Sequence, residues 1–358
     1  MSKINKTIVT ITGIRPDFIR MSNVFKKLDK NFNHILVHTG QHYDKMLSDV
    51  FFDELEIRKP DYVLETGKRS STHYEQLSYL TIAIFKLFKD KNIEPDLIVF
   101  LGDSNTAAIS LPLKKEGYKI CHIEAGMRSY DKRMLEELNR TVCDHCSDLL
   151  FVYHDDYKTF LEKENIKKNV NVVGNTITEL CLPLMEEYSK TDKKENRILM
   201  DIHRPENFKY RNRMENIIKY GNECVDRYGL PVYMLYFKRT GEYIKKYGLS
   251  LGKIKLIKLM SFKKYLKNVY HSKFIISDSG TGQEEPAIFK TKVIVPRDFT
   301  ERPQSVENNC SYMLNVNDTE FEESFNWLDE DFNGDIKWLG DGTTSEQIIN
   351  GIKKYFNV

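Results

Sequence analysis

Apolar, β-branched runs alternate with helix-period segments along almost the whole chain. Residues 7–12, 34–38, 97–101, 119–123, 149–153 and 170–173 read as buried strands, with amphipathic helices between them. Near 189–196 the hydrophobic pattern stops in a charged, apolar-poor run, the composition of an exposed linker. Beyond it the alternation restarts, with strands expected at 198–202, 231–235, 254–259, 274–277 and 292–295. This pattern predicts an α/β protein of two doubly wound domains, 1–188 and 197–358. Right-handed βαβ crossovers make each sheet parallel, and ligands then bind beyond the carboxyl ends of the strands. The last periodic segment, 345–356, is a helix that either stays with the second domain or crosses back to the first.

Composition narrows the function. A chain of 358 residues exceeds the size at which one core keeps growing, which supports two domains. With 54 basic against 52 acidic residues, it has no general attraction to nucleic acid or to an anionic membrane. No apolar stretch reaches the roughly 20 residues of a membrane span. The start runs into a strand-like segment rather than a signal sequence, so a soluble, cytoplasmic protein is expected. Six scattered cysteines do not form a disulfide framework, and Cys143 and Cys146 lack the second pair of a zinc ribbon.

Chemistry-bearing residues cluster at the predicted strand ends. The first strand runs into Gly13-Ile14-Arg15-Pro16-Asp17, where Pro16 suits the first turn of a helix. Arg15 there either caps a surface turn or holds a phosphate. No G-x-G-x-x-G follows the strand, so a nicotinamide cofactor is not indicated. His38-Thr39-Gly40-Gln41-His42 ends the second strand, and Asp103 follows the third, where a helix N-cap is its plain explanation. The densest signal runs from His122 to Arg140. Glu124 follows an apolar strand, where a structural residue would be small or apolar, while Glu136 and Glu137 open a helix, as the macrodipole alone would favour. In the second half, His203 and Arg204 follow a strand. Ser279-Gly280-Thr281-Gly282 offers backbone amides to a diphosphate, Glu285 could take ribose hydroxyls, and Arg297 and Arg302 flank another strand-end loop.

In this order and over nearly the whole chain, these motifs resemble the UDP-N-acetylglucosamine 2-epimerase family, with its two Rossmann-like domains in the GT-B arrangement. Gly13 to Asp17 is similar to the family's Gly-Thr-Arg-Pro-Glu, and His38 to His42 to its Thr-Gly-Gln-His turn. Asp103, His122 to Gly126, Glu136 to Arg140, His203 to Asn207, Ser279 to Glu285 and Thr300 to Pro303 match the remainder. The resemblance implies an isomerase that inverts carbon 2 of a UDP-linked N-acetyl amino sugar in a cleft between the domains. It implies elimination of UDP to a 2-acetamidoglucal followed by re-addition, without cofactor or metal, by a homodimer in cell-surface polysaccharide biosynthesis. Asp103, Glu124, Glu136 and His203 become the catalytic residues. Arg15, Arg20, His203, Arg204, Ser279, Gly280, Thr281, Glu285 and Arg302 become the UDP-sugar ligands.

The chain departs from the family at several points. Arg20 replaces a lysine, Thr281 replaces the second glycine of a serine-glycine-glycine turn, and Leu135 replaces a proline. A left-handed backbone at Thr281 would cost energy. Phe237-Lys238-Arg239-Thr240 stands where the family has His-Pro-Arg-Thr, whose histidine joins the Gln-His turn in binding an effector UDP-sugar. Residues 131–133 and 144–148 are closer to relatives acting on 6-deoxy sugars such as UDP-N-acetyl-L-rhamnosamine. Rival outcomes are hydrolytic release of the free sugar and glycosyl transfer.

Overall fold

Ile8, Val9, Leu97, Ile98 and Val99 are fully buried, as the middle strands of a sheet covered on both faces must be. In the computed structural model, which describes residues 3–40, 49–66, 72–191 and 195–358, they lie in a seven-stranded sheet. Its strands are β1 (Ile4–Thr12), β2 (Phe32–His38), β3 (Tyr62–Val63), β4 (Leu97–Leu101), β5 (Ile120–Ile123), β6 (Leu149–Val152) and β7 (Val170–Val172). The spatial order is β3-β2-β1-β4-β5-β6-β7, and every pairing is parallel.

A second sheet has β8 (Arg197–Asp201), β9 (Val232–Leu235), β10 (Lys255–Ile257), β11 (Ser272–Ser277), β12 (Lys292–Val295) and β13 (Ser311–Met313). Its order, β10-β9-β8-β11-β12-β13, repeats the first, again wholly parallel. Both are doubly wound Rossmann-like sheets. The strand order reverses between β1 and β4 in one and between β8 and β11 in the other, the position at which open sheets of this kind generally bind ligands. The short edge strands β3 and β13 are additions to the elements expected from the pattern.

The chain divides into one unit of Met1–Glu179 with Leu339–Val358 and another of Leu180–Trp338. The divide falls inside the helix Thr178–Tyr188, ahead of the charged run at 189–196. These units differ in bounds from the expected 1–188 and 197–358, and Tyr188 stacks on Phe289 of the second unit, ring centroids 6.0 Å apart. The closing helix, Thr344–Phe356, belongs to the first unit and buries Ile348, Ile349 and Ile352 there. Gly174 and Gly340 make its return possible, because a Cβ on Gly340 would come within 2.8 Å of the Gly174 Cα. No helix among the described residues is long and apolar enough to cross a membrane. All six cysteines are buried thiols.

Candidate active site

The first unit gathers its polar groups at the strand ends around the β1/β4 reversal. Helix Arg15–Asn31 starts directly after β1 with Pro16 in its first turn, as its sequence predicts. Asp17 accepts from the Gly13 amide (2.7 Å) and the Ile14 amide (3.1 Å), closing the helix start. Its carboxyl is buried and pushed up to about 7, first by burial, then by the negative charges of Asp103 and Glu124; the two amides oppose the rise. Arg15 packs its guanidinium 5.0 Å from the centre of the Phe51 ring.

One turn on, Arg20 turns inward. Its Nη2 lies 2.9 Å from Glu124 Oε2 and 3.2 Å from Asn175 Oδ1, and its guanidinium sits over the Tyr153 ring. Glu124 is 5 % exposed and held at φ 68°, a left-handed backbone uncommon for a residue with a side chain. Strain of this kind, stored at a strand end, is a frequent mark of a functional site. Beside it Gly102 has a φ of 65°, which favours glycine, while a Cβ there would make only an ordinary contact with Glu124 Oε1 at 3.7 Å.

Asp103 follows β4 and pairs with the fully buried Arg140, whose Nη1 also donates to Glu137 Oε2 at 2.9 Å. The N-cap explanation of Asp103 does not hold. The cap of helix Asn105–Ala108 is Ser104, which accepts from the Thr106 amide. Of the two glutamates that open helix Leu135–Cys146, Glu137 is structural: it is buried and accepts from the Ser129 and Tyr130 amides at 3.0 Å each. Glu136 is half-buried in the same first turn. Asp17, Glu137 and Arg140 stand within the sequence motifs, but the sequence gives them no individual site role. The signal for Asp17 was its place two residues into a helix that begins at a strand end. Gln41 and His42 lie outside the described residues, and His38 is a core residue, its ring 5.2 Å from that of Phe18.

In the second unit the β8/β11 reversal carries a histidine braced by two aspartates. His203 Nδ1 lies 2.8 Å from Asp201 Oδ1, and the His203 amide donates to Asp278 Oδ1 at 2.9 Å. Asp278 also accepts from the Arg204 amide (3.1 Å) and Asn207 Nδ2 (3.0 Å). Burial lowers the affinity of His203 for a proton, but Asp201 and Asp278 outweigh it and hold its pKa above the usual value. The Phe237 ring packs 4.9 Å from the His203 ring. Asp201, His203 and Asp278 are close enough to share a metal ion, although both Asp278 oxygens already receive hydrogen bonds.

After β11 the chain forms a 3-10 turn, Thr281–Gln283, and then the short helix Glu285–Ile288. Thr281 does not have the left-handed backbone that would have made it costly, so its replacement of glycine carries no such penalty. The glycines serve packing instead. A Cβ on Gly280 would come within 2.5 Å of Arg302 Nη1, and one on Gly282 within 2.4 Å of Ser277 Oγ. Ser279 Oγ faces Thr281 Oγ1 at 3.2 Å, and Glu285 is buried. Arg302 is a strut beneath this turn: Nε donates to Glu284 Oε1 at 2.6 Å and Nη1 to Glu301 Oε1 at 2.7 Å.

A family model described as UDP-N-acetylglucosamine 2-epimerase matches residues 26–353. The chain is 33 % identical over 361 residues to the UDP-N-acetylglucosamine 2-epimerase of Methanocaldococcus jannaschii, covering 95 % of this chain and 96 % of that one. It is 31 % identical to the UDP-2,3-diacetamido-2,3-dideoxy-D-glucuronate 2-epimerase of Pseudomonas aeruginosa, covering 97 % and 99 %. The crystal structure of the Methanocaldococcus jannaschii UDP-GlcNAc 2-epimerase in complex with UDP-GlcNAc and UDP matches with a TM-score of 0.88 at 31 % identity, over 98 % of this chain and 99 % of that one. The shared fold is GT-B. Matched from end to end, with carboxylates at one strand-order reversal and a braced histidine at the other, the chain belongs to the UDP-N-acetylglucosamine 2-epimerase family and is an isomerase.

Proposed function

We propose that the chain interconverts a UDP-linked N-acetylhexosamine with its carbon 2 epimer, taking UDP-GlcNAc and UDP-ManNAc as the pair. No carbonyl adjoins carbon 2, so its proton is barely acidic and enolate chemistry has no place. The route is elimination. A carboxylate takes the carbon 2 proton, the carbon 1 to oxygen bond breaks with its electron pair leaving on UDP, and a 2-acetamidoglucal remains. Re-addition of UDP with protonation on the opposite face completes the inversion.

Asp103, Glu124 and Glu136 exchange the proton and stabilise positive charge at carbon 1, and more than one is required because the two faces need acid and base in different places. His203, with its raised proton affinity, neutralises the departing diphosphate together with Arg15, Arg204 and the turn of Ser279, Gly280 and Thr281, while Glu285 takes the ribose. Arg20 orients Glu124, and Arg302 supports the turn from below. The observation that carries this reading is Glu124, a buried carboxylate held in a left-handed backbone against Arg20 at the first unit's ligand-binding edge.

A modified amino sugar is the second reading, favoured by the similarity to a relative named for a diacetamido glucuronate. Chromatography of incubations with UDP-GlcNAc tests the assignment. A second UDP-sugar rising to a constant ratio, in EDTA and without free UDP, supports it. Free UDP with N-acetylmannosamine moves the chain to hydrolysis, and no reaction directs the test to 6-deoxy and uronate UDP-amino sugars.

The family resemblance implies a homodimer, and light scattering should then report twice the 42.1 kDa chain mass, whereas a single chain mass contradicts it.

A further inference from the structure

His122, in β5, is fully buried, yet both ring nitrogens face acceptors. Nε2 lies 2.7 Å from the Gly102 carbonyl oxygen, and Nδ1 lies 2.7 Å from Asp144 Oδ1. A neutral imidazole has one N–H to give and would turn a lone pair on one of these oxygens, so the arrangement requires the doubly protonated ring. The surroundings supply the balancing charge. Asp144 Oδ2 accepts from Arg128 Nη1 at 2.7 Å, and Arg128 makes a bidentate pair with Glu164, 2.7 Å at each contact. Two cations thus alternate with two anions. Cys143, from the same helix as Asp144, also faces the ring, and His145 reaches Glu164 at 3.2 Å. Burial opposes the charge on His122, but Cys143 and Asp144 hold its pKa well above the usual value.

This ion pair joins two loops. Through Nε2 the ring fixes the Gly102 carbonyl, whose own amide is tied to the Ile123 oxygen at 3.0 Å, and Asp103 is the next residue. Through Asp144 Oδ2 it fixes the Gly126 amide at 3.1 Å, two residues after Glu124. We propose that His122 is a positioning residue, a buried imidazolium that with Asp144 sets the spacing of the Asp103 and Glu124 carboxylates. The proposal rests on the reading that these two carboxylates act on the sugar. A buried ion pair gives little net stability against an apolar pair of the same shape, so its use here is geometric.

Three measurements test this. In the wild-type protein, histidine-selective ¹⁵N NMR should show both His122 nitrogens protonated throughout the range in which an ordinary histidine titrates, whereas a ring that loses a proton between about pH 6 and pH 8 overturns the proposal. His122→Gln should lose about 100-fold in kcat with UDP affinity and circular dichroism unchanged. In Asp144→Asn the buried ring loses the anion that keeps its second proton, so NMR should show one His122 nitrogen unprotonated at neutral pH and kcat should fall about as far as in His122→Gln. A His122→Gln enzyme within about two-fold of wild type, or an Asp144→Asn enzyme of wild-type turnover, overturns it. Asp103→Asn and Glu124→Gln run in parallel: if both stay active, the functional reading itself fails, and if both are inactive, a negative result on His122 counts against this inference alone.

Discussion

Asp17 and Arg20 show how single side chains set the character of the site. Folded Asp17 holds its proton to about pH 7, while an unfolded aspartate loses it near 3.8. Between those values the folded state binds the proton and the unfolded state does not, so this group's contribution to stability falls as pH rises from about 4 to about 7, by an amount on the order of 4 kcal/mol. Asp17→Asn keeps an oxygen for the Gly13 and Ile14 amides and removes the titration. Urea unfolding should therefore show the variant gaining on wild type from pH 5 to pH 8, and a constant difference contradicts this. At Arg20 a single nitrogen, Nη2, makes both the Glu124 and the Asn175 contacts, a geometry that a lysine ammonium can also meet. Arg20→Lys should cost under about 1.5 kcal/mol, and Arg20→Met about 3–5 kcal/mol because Glu124 stays buried without this cation. Equal losses in denaturant midpoint would contradict the assignment. Glu124 and His203 could be singled out in the sequence because a charged or polar residue straight after an apolar strand has few plain explanations. The ion pairs could not, because Arg20 with Glu124 and Asp103 with Arg140 join residues from different elements that only the closed sheet brings together.

At the scale of elements, the core strands could be read from the chain because a strand buried on both faces must be apolar throughout. Strands β3 and β13 could not, since Tyr62–Val63 and Ser311–Met313 are too short to carry a period and are defined only by their neighbours. The charged run at 189–196 does not coincide with the divide between the units, which falls ahead of it at Glu179 and Leu180. A polar run reports exposure, and exposure does not say which core the helix beside it joins. The closing helix makes a sharp test of packing against propensity. Gly351 sits inside it, and a Cβ there would come within 2.4 Å of Phe151 Cε1, a fully buried ring. Alanine is the better helix former by about 1 kcal/mol, but crowding a filled core costs about 1–3 kcal/mol. Gly351→Ala should therefore lower the melting temperature, and an increase would show that the helix is not packed on β6 as described.

At the scale of the whole molecule, the same doubly wound sheet occurs twice, and under the proposed function each copy supplies a different half of the chemistry at its strand-order reversal. The first has Asp103, Glu136 and Glu124, the last paired with Arg20; the second has His203, Arg204 and the Ser279–Thr281 turn. An enzyme that breaks a bond between a sugar and a diphosphate needs both kinds of surface, one to move a proton at carbon 2 and one to receive the leaving group. Loss of any one of the three carboxylates should lower turnover by about 100-fold or more while leaving UDP affinity intact, as steady-state kinetics with calorimetry would report. The central claim is that carbon 2 gives up its proton as UDP departs and regains one from solvent. The most direct measurement is NMR of UDP-GlcNAc incubated with the protein in D₂O containing EDTA. The account predicts deuterium at carbon 2 of both UDP-GlcNAc and UDP-ManNAc, accumulating to a constant ratio with no free sugar. UDP-ManNAc that forms while keeping its original carbon 2 hydrogen would contradict it.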